Sequence, residues 1–213
     1  MKKLLMFLLF ISGQLIFACN EMKDIGCFIM VEDKAPLVIY FRGHNKGRAE
    51  LANDELFDSA SQVAKKAQLA QLALKLKVNI LVTGSSRIIV TKTLLENYDF
   101  DKLYLAAHSG GYYGLWKTLE DKTLFPHLKK LIFLDSYYSE SKQFHQLIAD
   151  LSNNDIPCVG YLTEHNLKRF NRHYKNLGCT KNGPEGFQHS KDVNRCLSQF
   201  IQGNECHGQN ISS

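Results

Sequence analysis

Lys102-Leu103-Tyr104-Leu105-Ala106-Ala107-His108-Ser109-Gly110-Gly111 is the stretch on which the fold turns. Its first half is apolar at successive positions, as a strand buried on both faces requires. The run stops at a Ser-Gly-Gly cluster, a strong turn signal. Tyr112 to Asp121 then reads as helical. A buried strand, a tight turn and a helix in that order make half of a parallel β-α-β unit.

Working outward, the same alternation recurs. Before the turn, Leu37-Val38-Ile39-Tyr40-Phe41 and Asn79 to Gly84 read as two further buried strands. A helical stretch from Asp54 to Lys77 separates them, with Leu69, Leu72, Ala73 and Leu76 on one face. Gly26 to Val31 reads as an edge strand, and Thr91 to Asn97 as a short helix. After the turn, Lys130 to Leu134 and Ile156 to Tyr161 are strands, with a helix at Gln143 to Leu151 between them. Ser190 to Ile201 closes the pattern as a last helix. The expected fold is therefore α/β, a mostly parallel sheet with helices on both faces. Right-handed crossovers collect the C-terminal ends of the strands on one rim, where such sheets bind ligands.

The N-terminus carries a different signal. Lys2-Lys3 precede an almost wholly apolar run from Leu4 to Phe17, followed by Ala18-Cys19, which is the layout of a secretory signal peptide. The run is short for a bilayer span, and no later run is long enough for one. Residues 1–18 are read as the leader, 25–203 as one α/β domain and 204–213 as a polar, mobile tail. Cleavage after Ala18 and a lipobox reading, with a lipid anchor on Cys19, both remain open. The destination is correspondingly the periplasm, the envelope or the exterior. The six cysteines include none in a Cys-x-x-Cys pair, and export permits them to form disulfides.

Composition excludes several classes. With 45% hydrophobic and 22% charged residues the chain has the make-up of an ordinary globular domain rather than a disordered one. The formal charge of +5 includes Lys2 and Lys3 of the leader, and no basic run interleaved with aromatics is present, so nucleic acid is not an expected partner. His165 and Arg169 stand four apart near His173, but arginine is no metal ligand, so neither a metal nor a cofactor is expected.

The Ala107-His108-Ser109-Gly110-Gly111 turn resembles the nucleophile turn of the α/β-hydrolase superfamily, Gly-x-Ser-x-Gly between a strand and a helix. Ala107 replaces the first glycine, and Gly111 satisfies the second. The resemblance implies that Ser109 is a nucleophile and that the N–H of Gly110 faces an oxyanion. The family order of nucleophile, acid and histidine is met by Ser109, Asp135 at the end of the next strand, and His189 in the loop before the last helix. Glu164, after the following strand, is the alternative acid. Arg42-Gly43-His44 stands where family members often carry His-Gly, which implies that the His44 N–H is the second oxyanion donor.

Arg42 in place of histidine either brings positive charge to the site and favours an anionic substrate, or anchors its loop by a salt bridge. Ser85, in Gly84-Ser85-Ser86 at another strand end, is a candidate pocket residue. The expected activity is hydrolysis of a small or polymer-attached ester or amide through an acyl-enzyme. The alternative is a non-catalytic binding or interaction protein on the same scaffold.

Overall fold

The computed structural model describes residues 10–11, 14–15, 19–22, 24–43, 53–136, 142–153, 155–163, 181–182 and 192–206. The main sheet is built from β1 (Asn20–Met22), β2 (Gly26–Ile29), β3 (Leu37–Phe41), β4 (Asn79–Thr83), β5 (Leu103–His108), β6 (Leu128–Leu134), β7 (Cys158–Leu162) and β8 (Lys181–Asn182). The helices are α1 (Asn53–Lys66), α2 (Leu69–Leu76), α3 (Tyr112–Leu119), α4 (Lys142–Asn153) and α5 (Val193–Ile201). Apart from the sheet, Phe10–Ile11 pairs antiparallel with Gln14–Leu15.

The eight strands lie in the order β8-β7-β6-β5-β3-β4-β2-β1. Every pair from β8 through β4 is parallel, while β4–β2 and β2–β1 are antiparallel. This is the mostly parallel α/β sheet that the alternating pattern demands.

Side chains alternate along each strand, and the two faces bury separate cores. Leu37, Ile39 and Phe41 of β3 join Leu105 and Phe133 against Leu115 and Leu119 of α3 and Ile148 and Leu151 of α4. Val38 and Tyr40 join Ala106 and Ile132 against Ala60 of α1, Leu69 and Leu72 of α2 and Leu197 and Phe200 of α5. Helices thus cover both faces. That is why the central strands are largely apolar, with all five residues of β3 buried.

The departures from the sequence reading have local causes. Gly26–Ile29 is not an edge strand: it is flanked by β1 and β4, and the edge is Asn20–Met22, just past the expected leader. The long helical stretch is broken in two at Gln68, whose φ of 50° is left-handed. The expected helix at Thr91–Asn97 shrinks to a single turn at Thr93–Leu95. The polar tail is held at its start, since the Asn204 N–H donates to the Gln199 carbonyl at 2.8 Å and Cys206 is bonded to Cys196.

A second disulfide joins Cys19 to Cys27, and Cys158 is also disulfide-bonded. No helix among the described residues is long and apolar enough to cross a membrane.

Candidate functional site

The chain leaves β3 towards β4 on one side, and leaves β5 towards β6 on the other. The gap between β3 and β5 is therefore the topological switch point, the place where open sheets of this kind bind their ligands. Arg42-Gly43 follows β3 there, and Ser109 follows β5. Register keeps the two ends level, with Phe41 opposite Ala107.

Ser109 has φ of 52°, in the left-handed region that a residue with a Cβ rarely adopts. It is half-buried and opens a single helical turn, Ser109–Gly111, that runs directly into α3. The turn is held by close packing on both sides. A Cβ on Gly111 would come within 2.1 Å of the Phe41 carbonyl oxygen, so only glycine lets the helix start pass this close to β3. A Cβ on Gly43 would lie 2.7 Å from the Cβ of Ser109 and 3.3 Å from its Oγ. The loop after β3 is thus in direct contact with the serine.

Asp135 directly follows β6 at the same rim and is buried. It too is left-handed, with φ of 48°. Its backbone N–H donates to the Tyr161 carbonyl at 2.9 Å. One carboxylate oxygen accepts from the Thr163 N–H at 2.8 Å and from the Thr163 hydroxyl at 3.1 Å. Ser136, the next residue, is fully buried, and its hydroxyl donates to the Ser109 carbonyl at 2.6 Å. The end of β6 and the turn after β5 are therefore joined by a direct bond.

Arg42 directly follows β3 at the switch point, but its guanidinium is committed to the protein. It is buried, its Nη1 donates to the Ser59 hydroxyl and to the Gly84 carbonyl at 3.0 Å, and its Nε donates to the Gly43 carbonyl at 3.2 Å. Burial draws the group below its usual arginine value, against the opposing pull of the Tyr40 phenol. These three bonds tie Arg42 to the oxygens of Ser59 on α1, of Gly84 just past β4 and of its own neighbour Gly43. Ser85 is half-buried after β4, and its hydroxyl accepts from the Arg87 N–H at 3.3 Å, which makes it a turn residue.

Of the residues expected at the site, Ser109, Gly110 and Asp135 come together at one rim, with Gly43 beside the serine. His189, Glu164 and His44 lie outside the described residues. Ser136 and Thr163 were not foreseen. Their partners lie 27 and 28 positions away in the chain, and only the pairing of β5, β6 and β7 brings them into reach. Comparison with protein-family models, curated proteins and solved structures returns no match.

Proposed function

We propose that the protein is an exported serine hydrolase of the α/β-hydrolase type, cleaving an ester or amide through an acyl-enzyme on Ser109. The observation that carries this reading is the left-handed Ser109 at the end of a central parallel strand, at the switch point and at the start of a helix. Such a turn lifts a hydroxyl clear of the backbone at the rim. It also puts that hydroxyl beside helix N-terminal N–H groups, which lack intrahelical partners and suit a developing negative charge.

A serine hydroxyl is a weak nucleophile until a base takes its proton. In this mechanism His189 accepts the Ser109 proton as Oγ bonds to the carbonyl carbon. The oxyanion is held by the N–H groups of Gly110 and His44. The leaving group departs with the proton from His189, and water cleaves the acyl-enzyme by the same steps in reverse. Asp135 orients the imidazole, with Glu164 as the alternative acid. The bonds from Thr163 to the Asp135 carboxylate favour Asp135, because an orienting acid must itself be held still.

Disulfides persist in oxidising compartments, so the bonded Cys19, Cys27, Cys158, Cys196 and Cys206 support export. The Cys19–Cys27 bridge favours ordinary cleavage after Ala18 over a lipid anchor, since one sulfur cannot carry both bonds.

The test is covalent labelling of the disulfide-bonded protein with a fluorophosphonate probe. Labelling at Ser109 that disappears in Ser109→Ala and in His189→Ala is the expected result. A folded protein that the probe leaves untouched would instead mark a binding protein on a hydrolase-like scaffold.

A further inference from the structure

Ser136 has no part in the relay of Ser109, His189 and Asp135, yet it touches the nucleophile turn directly. Its hydroxyl donates to the Ser109 carbonyl at 2.6 Å from a fully buried position. That carbonyl belongs to the same peptide group as the Gly110 N–H. The described peptides are all trans, and in a trans peptide the C=O and N–H point in opposite directions.

β5 lies between β6 and β3 in the sheet. A Ser109 carbonyl bonded to Ser136, two residues past the end of β6, therefore turns the Gly110 N–H towards the β3 side. Gly43 stands on that side, against the serine Cβ. The bond also polarises the peptide, so its N–H becomes the stronger donor.

We infer that Ser136 is a positioning residue that sets the Ser109–Gly110 peptide so that its N–H is aimed towards the β3 side as an oxyanion donor. This rests on the hydrolase reading. Without Ser136 the left-handed Ser109 keeps its place through the packing of Gly111 and Gly43, but its peptide plane loses the hydrogen bond that fixes its tilt. A donor that is off-line by a few tenths of an ångström loses much of its hold on the transition state and little of its hold on the substrate.

The test uses the full chain with its disulfides intact, p-nitrophenyl acetate as substrate and a boronic acid as tetrahedral analogue. Ser136→Ala is expected to lower kcat about 10- to 100-fold, somewhat less than outright loss of a donor. KM should change little, and boronate affinity should fall in parallel with kcat. The pH profile of kcat/KM should stay in place, because the relay is intact. Ser136→Thr, which keeps the hydroxyl, should restore most of the rate. Should Ser136→Ala not fold, Ser136→Cys, with its weak S–H donor, should show a smaller fall of the same kind.

Wild-type kcat and boronate affinity in a folded Ser136→Ala or Ser136→Cys overturn the inference. So does a displaced pH profile with unchanged boronate affinity, which would mean that Ser136 acts through the neighbouring Asp135. Absence of probe labelling at Ser109 in the wild-type chain is a separate outcome and defeats the hydrolase reading itself.

Discussion

Among the described residues, Ser109 after β5 and Asp135 after β6 are both held at positive φ without being glycine. For an L-residue that conformation costs about 1–2 kcal/mol, less for aspartate, which tolerates it through local hydrogen bonds. The cost at Ser109 has no such relief and persists because the packing of Gly43 and Gly111 dictates the turn. Ser109→Gly should therefore raise stability by about 1 kcal/mol while removing probe labelling, as read by urea unfolding and mass spectrometry. No gain in stability would mean that the turn is not strained. Arg42 carries the opposite lesson, as its partners Ser59 and Gly84 stand 17 and 42 positions further along. Its presence beside the turn could be read in the sequence, but its direction could not. Arg42→Lys loses a fork that reaches several oxygens at once, so it should destabilise by about 1–3 kcal/mol despite keeping the charge. It should not change the preference between anionic and neutral esters; a changed preference would return Arg42 to the substrate.

At the scale of the elements, the strands next to the site were legible because full burial leaves a continuous apolar run. The reading of Leu37 to Phe41 agrees with the structure residue for residue. Elements that depend on distant contacts were not legible. Gln68 breaks the α1–α2 stretch in a left-handed conformation with no glycine or proline to announce it. β8 spans two residues, too few to show a period. The helix after the turn depends instead on a side chain that is missing. With Phe41 O only 2.1 Å from where its Cβ would stand, Gly111→Ala must push α3 away from β3. The expected loss is about 3 kcal/mol in chemical denaturation, the upper part of the usual overpacking range, with Ser109 labelling lost as well.

At its far end α3 is tied by Asp121, whose carboxylate accepts from the Thr123 hydroxyl and N–H and from the Lys92 N–H. The Thr123 hydroxyl, and then the Lys92 N–H, draw this carboxyl below the usual aspartate range. A depressed carboxyl stabilises the fold above its unfolded pKa, and that contribution fades as pH falls through the folded value. Asp121→Asn should thus cost about 1 kcal/mol or less at neutral pH, since the site is solvent-screened. The difference from wild type should shrink on acidification below pH of about 4. A gap that does not depend on pH would contradict the charge-based account.

For the molecule as a whole, the topology gathers the ends of β3, β5, β6 and β7 on one rim, and the bridges Cys19–Cys27 and Cys196–Cys206 lie elsewhere. Cys19–Cys27 ties the edge strand β1 to β2, Cys196–Cys206 ties α5 to the chain that follows it, and Cys158 begins β7 at the end remote from the rim. The candidate site is instead held by the parallel pairing of β3, β5, β6 and β7 and by hydrogen bonds from Ser136 and Thr163. Stability and site geometry should therefore separate on reduction. The bridges Cys19–Cys27 and Cys196–Cys206 close loops with sequence separations of 8 and 10. In the chain-entropy account each is worth about 2–3 kcal/mol, a large part of the stability of a domain this size. Full reduction should then lower the Tm by many degrees, with alkylation and intact mass counting the opened bridges. Below the lowered Tm, the reduced protein should still label at Ser109 at close to the oxidised rate. If the rate collapses while far-UV circular dichroism shows the sheet intact, a bridge is part of the site's support and the parallel strand pairing alone does not hold Ser109 in place.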